Sequence, residues 1–139
     1  MSYFDHEKLD VYRASIRFNV LADTIIEQLP RGRSYLADQL QRAGTSVLLN
    51  IAEGAGEYAS NEKIRFYRMA KRSATECAAI LDLCQELRLI EEKFYAEGRE
   101  LLARIVAMLI RMAQGAYQSG SHTTGPAHAH AHAHEMSAP

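Results

Sequence analysis

The stretch Asn50–Arg72, NIAEGAGEYASNEKIRFYRMAKR, decides the fold. Its first residues close an apolar helical pattern, Gly54 and Gly56 interrupt it, and a new helical pattern starts after Ser60. Only a few residues separate the two patterns, so the helices they predict turn back on each other as antiparallel neighbours. The second helix opens with Lys63, Arg65, Arg68, Lys71 and Arg72, and no acid lies between the first and the last of these. Those cations need a counterpart.

Upstream, Leu36, Leu40, Ala43, Val47 and Ile51 recur at helical spacing and predict a helix over residues 34–55, with the two glycines as its left-handed stop. Downstream, the seam Phe66, Ala70, Ser73, Cys77, Ile80, Cys84 and Leu87 carries the cationic helix to about residue 88. Tyr67, Ala74 and Leu81 widen its apolar stripe to one side, enough to touch two neighbours. Ser60 is the expected N-cap, with Glu62 in the first turn. Further out, Val11, Ala14, Phe18, Leu21 and Ile25 predict a helix over 7–29, ended by Pro30 and Gly32. Phe94, Leu101, Ile105, Met108 and Met112, with Leu102 and Leu109 beside them, predict a fourth over 92–117. No alternating strand pattern interrupts the series. The predicted fold class is all-α, an up-down-up-down four-helix bundle.

The chain has 139 residues, 47% hydrophobic and 24% charged, which suits one domain with a sizeable core. After Tyr117 the sequence changes to QSGSHTTGPAHAHAHAHEMSAP, almost without large apolar side chains. Residues 1–117 are therefore read as the bundle and 118–139 as a disordered Ala/His-rich tail. Cys77 and Cys84, seven apart on one helix, stand about 10 Å from each other along its axis, too far for a disulfide. They read as buried thiols of a reducing compartment. With neither a secretory signal pattern nor a long apolar run, the expected location is the cytoplasm, with no membrane partner.

Catalytic signatures are absent. The sequence has no phosphate loop, HExxH, CxxC or G-x-S-x-G, and Gly54-Ala55-Gly56 follows a helix where a dinucleotide fingerprint follows a strand. His6 is the only histidine outside the tail, which leaves little for histidine acid–base chemistry. No enzyme activity, cofactor or metal is expected. The alternating His128, His130, His132 and His134 read as a low-complexity extension, with weak chelation as the alternative. Two polar constellations remain. On the second helix, Gln39, Arg42, Ser46, Asn50 and Glu53 fall on one stripe beside Ala43 and Val47, as expected of a helix–helix or subunit contact. On the third, Arg65, Arg68 and Arg72 share a face with Lys63 and Lys71 flanking. Like charges at this spacing repel by roughly 0.2–0.5 kcal/mol per pair, and cations in a first turn oppose the helix dipole. An external anion would relieve both, either a phosphate backbone or carboxylates of a neighbouring helix or partner.

The run from Gln39 through Arg42-Ala43, Ser46, Asn50-Ile51-Ala52-Glu53-Gly54, Gly56, Glu62, Arg65-Phe66, Ala70, Ser73 and Glu76 resembles the four-helix-bundle proteins encoded in bacterial 23S ribosomal RNA intervening sequences. The opening FDHEKLDVY, residues 4–12, is similar to that family's start, and the likeness spans about residues 3–115. The resemblance implies a four-helix protomer in a ring-like homo-oligomer, a homopentamer. It also implies kinship with the accessory variability proteins of diversity-generating retroelements, which associate with a reverse transcriptase and bind nucleic acid through basic surfaces. No enzymatic activity comes with it.

Three positions depart from the family's pattern. Leu48 stands where a proline is common, so no kink is enforced in the second helix. Glu57 replaces a frequent cation after the second glycine, and Ala59 a frequent capping serine. The expectation from the sequence is a non-enzymatic accessory protein. It would bind structured RNA or other nucleic acid through the basic face of the third helix, or else act as a protein–protein adaptor or scaffold.

Overall fold

The computed structural model describes residues 4–121. A 3-10 turn at Asp5–Lys8 leads into α1 (Asp10–Gln28), followed by α2 (Ser34–Gly56), α3 (Ser60–Glu86) and α4 (Glu92–Ser121), with no strand among the described residues. Each helix packs on two others in the cyclic order α1, α2, α3, α4, so α1 and α3, like α2 and α4, lie on the diagonals. Short connections and this cyclic order make an antiparallel four-helix bundle, as the spacing predicts. The fourth helix continues to Ser121, so residues 118–121 belong to it; the rest of the predicted tail, 122–139, lies outside the described residues.

The predicted seams of α1 and α2 are buried throughout, with Phe18, Ile25, Leu40, Val47 and Ile51 fully enclosed. The phase of α3 differs. Tyr67, Ala74 and Leu81, read as the flank, lie in the core with Ala70, Cys77 and Cys84, whereas Phe66 is half-buried and Leu87 exposed. The helix turns its 67–70–74–77–81–84 line inward because α3 must touch α2 on one side and α4 on the other, and that line bisects the two contacts.

Close approach between helices explains three glycines. A Cβ on Gly44 would stand 2.7 Å from Oδ1 of Asn19 on α1. On Gly54 it would meet the Tyr67 ring at 2.7 and 2.9 Å and Cβ of Phe66 at 3.0 Å, and on Gly98 it would meet Cδ1 of Leu81 at 2.7 Å. Each junction between consecutive helices thus has a glycine where one backbone presses on the neighbouring helix's side chains. At the first junction Asn19 Nδ2 donates to the carbonyls of both Ser15 and Gly44, each at 2.9 Å.

The helix ends correct two expectations. Gly54 and Gly56 are not left-handed; both lie within α2, whose C-cap is Glu57 at φ −81°. Its last carbonyls are satisfied instead by Lys63, whose Nζ donates to Gly54 O at 3.1 Å and Ala55 O at 3.0 Å. Ala59, and not Ser60, is the N-cap of α3, without a side-chain cap. Positive φ occurs at Gly32 (94°), in the turn closed by Arg33 N–H donating to Pro30 O, and at Arg88 (58°). Arg88 ends α3 in a Schellman arrangement: Leu89 N–H donates to Cys84 O and Arg88 N–H to Gln85 O, both at 2.9 Å.

Candidate nucleic-acid interface

Arg65, Arg68 and Arg72 are all exposed along one face of α3, whose opposite side carries the buried Tyr67, Ala70 and Ala74. The core requirement of α3 therefore puts the three guanidinium groups outside. Lys63 and Lys71 are half-buried on the flanks. The ammonium of Lys63 is held by the α2 carbonyls, so part of the cationic run serves the fold itself.

Arg65 is clamped in place. Its Cζ lies 4.7 Å from the centroid of the Phe66 ring, Nη2 donates to Glu62 Oε2 at 3.1 Å, and Nη1 lies 3.9 Å from Met69 Sδ. The Arg65–Glu62 pair is solvent-exposed on both sides, at 56% and 40%, so its worth is orientation more than stability. Phe66, expected in the core, instead supports this guanidinium from below. Just before α3, the Tyr58 side chain is fully exposed.

The polar stripe of α2 divides. Gln39, Arg42 and Glu53 are exposed, while Ser46 and Asn50 are half-buried. Ser46 Oγ and Ser73 Oγ share a hydrogen bond of 2.8 Å across the α2–α3 contact, and Asn50 Nδ2 donates to Ser46 O at 2.8 Å and Ser46 Oγ at 3.1 Å. The expected cross-helix contact is thus made by Ser46, with Asn50 bracing it from within α2. Its partner Ser73 was legible only as a small member of the α3 seam. Arg42, Ser46, Leu49, Asn50, Ser73 and Glu76 line an open groove of about 480 Å³ between the two helices. Arg42 and Glu53, the charged members of the predicted stripe, form no ion pair among the described residues.

On the far side of α3, Asp82 ties the helix to α4. It accepts from Tyr95 Oη at 2.8 Å and from Arg99 Nη1 at 2.9 and 3.1 Å. The hydrogen bond from its hydroxyl to Asp82 pushes the Tyr95 phenol upward. No sequence signal reaches this tie, because its members stand 13 and 17 residues apart on different helices. Burial, with the charge of Glu76 adding to it, pushes the Cys77 thiol up to about 12, and burial raises Cys84 as well. Both thiols are free and buried, as expected. Among the described residues no group of three or more His, Cys, Asp or Glu could hold a metal, and no helix is long and apolar enough to cross a membrane.

A comparison with curated proteins found no match. A family model described as 23S rRNA-intervening sequence protein matches residues 7–111, three of the four helices in full and most of the last.

Proposed function

The chain belongs to the 23S rRNA-intervening sequence protein family, and from that premise we propose that it is a non-enzymatic accessory protein that binds structured RNA through the basic face of α3. One observation carries the reading. Arg65, Arg68 and Arg72 all lie exposed on a single face, in a run of ten residues that contains no acid. Phosphate contacts of this kind position a polyanion without reading its sequence. The proposed assembly is a ring-like homo-oligomer, a homopentamer, in which every protomer presents the same stripe and one long RNA gains avidity by spanning several. The proposed location is the cytoplasm.

The test is titration of a fluorescent structured RNA against the full chain. Binding at 50 mM salt should weaken on the order of a thousandfold by 200 mM if six or more phosphates are contacted around the ring. Arg65→Glu with Arg72→Glu should abolish binding and leave the helical signal intact, because both side chains are outside the core. Absence of binding at 50 mM salt, or indifference to both changes, overturns the reading.

A second reading is favoured by a different observation. Tyr35 and Leu49 on α2, Met69 and Leu83 on α3, and its C-cap Leu87 are large apolar side chains between 38% and 60% exposed. Such a surface suits protein docking, and on this reading the chain is an adaptor or scaffold with no direct nucleic-acid contact. Capture of the same defined partner by the wild type and by the charge-reversed variant would support it.

A further inference from the structure

The basic face of α3 differs from a plain phosphate clamp in two respects. First, Arg65 is not disposed like a free phosphate-seeking arginine. Glu62 and Met69 hold its edges and the Phe66 ring backs it at 4.7 Å, yet its side chain is 56% exposed. What it offers to solvent is a flat cationic plane of fixed orientation. Second, Tyr58 projects fully exposed from the segment joining α2 to α3. Its neighbours in the chain satisfy the helix ends through backbone groups and Lys63, so the phenol ring has no part in the fold. An aromatic ring and a backed guanidinium, one just ahead of α3 and the other in its second turn, are the two side-chain planes on which unpaired bases stack. A duplex offers neither plane a free base face, since its bases are stacked on each other.

We propose that the Tyr58–Arg72 segment holds unpaired nucleotides, with the Tyr58 ring and the Arg65 guanidinium as stacking surfaces and Arg72 as a phosphate contact. This rests on the polyanion reading above and narrows it from structured RNA in general to its loops, bulges and single-stranded ends. Glu62 and the half-buried Glu57 oppose a uniform coating of the surface by phosphate, which agrees with a site that takes bases at Arg65 and phosphates further along the helix.

The experiment uses the full chain with three probes: a 12-nucleotide single-stranded RNA carrying a central 2-aminopurine, its DNA equivalent, and a 12-base-pair RNA duplex, all at 50 mM salt. Stacking quenches 2-aminopurine fluorescence, so the signal reports base contact directly. The single strands should bind at least fivefold more tightly than the duplex, with quenching. Tyr58→Ala should weaken single-strand binding by roughly fivefold to a hundredfold and relieve the quench, without changing the dependence on salt, because no phosphate contact is lost. Tyr58→Phe should retain binding, and Arg72→Gln should lower the salt slope by about one while leaving the quench. Equal binding of duplex and single strand, or a Tyr58→Ala protein that binds and quenches as before, overturns the stacking site while the polyanion reading stands. Failure of all three probes to bind overturns both. A preference between the RNA and DNA strands decides whether the 2′-hydroxyl contributes, and either result is compatible with stacking only if the quench is present.

Discussion

At the scale of single residues, the clearest physical commitment is the burial of two thiols. Cys77 and Cys84 sit fully enclosed on the core line of α3, where a thiolate would lose its hydration, a penalty that the charge of Arg33 offsets only in part at Cys84. Cys77 is accordingly pushed up to about 12, with Glu76 adding to the effect of burial. The unfolded thiol titrates near 8.5, so below that pH neither state loses the proton and the thiol gives no pH dependence. Above it the unfolded chain releases a proton that the folded chain keeps, and stability falls as pH rises towards the folded value. Cys77 alone should cost up to about 1.4 kcal/mol per pH unit in that window. Urea melts at pH 7.5, 9 and 10 should show the decline, and Cys77→Ala should make it shallower by the share of one thiol, leaving that of Cys84. Equal pH dependence in the variant would show that the thiol does not carry it.

At the scale of helices, the junction of α2 with α3 combines close packing with hydrogen bonds between the two elements. Gly54 lets the end of α2 press against the Tyr67 ring and the Phe66 Cβ, Lys63 closes the α2 carbonyls, and Ser46 with Ser73 bonds the helices two turns away. In Gly54→Ala the new methyl group would meet a ring wedged in the core and a Cβ that cannot rotate away. Overpacking of this kind costs about 1–3 kcal/mol, against a gain of about 1 kcal/mol in helix propensity. The expected outcome is a net loss of about 1 kcal/mol, read as a lower urea midpoint with an unchanged slope. A variant as stable as the wild type would mean that Tyr67 has room to move. Gly98→Ala is the useful contrast, because the atom it meets is the far end of Leu81.

At the scale of the whole molecule, the protomer leaves apolar side chains outside. The Ser46–Ser73 bond sets the antiparallel register, which brings Tyr35 level with the turn containing Leu83. These two, with Leu49 and Leu87, are exposed, and Leu49 lines the groove between the helices. An exposed surface of this kind is better covered than left in water, and copies of one chain cover it by closed symmetry. If the proposed homopentamer forms, light scattering at micromolar concentration should give a mass near five times the 15.6 kDa chain, about 78 kDa. Leu49→Glu with Leu83→Glu should reduce it to the protomer with helicity preserved. A wild-type mass of 15.6 kDa would remove the self-association expectation and leave the face to a different protein.

The sequence by itself determined the number of helices, their order and nearly all of the α1 and α2 cores, because burying a helix stripe demands a period that Val11 to Ile25 and Leu36 to Ile51 display in one dimension. It also determined that Arg65, Arg68 and Arg72 share a face, since residues three and four apart on a helix must. What only the tertiary structure decided is where each helix turns that face and what meets it. The phase of α3 is set by two neighbours at once, so Tyr67 went in and Phe66 became the support beneath Arg65. The role of Lys63 depends on carbonyls eight and nine residues away in another helix, and that of Gly54 on a ring thirteen residues on. Ser46 with Ser73, and Asp82 with Tyr95 and Arg99, are hydrogen bonds between elements whose sequence separation has no period. Helical spacing records one helix's own geometry, while a contact between helices exists only once their packing has fixed the register.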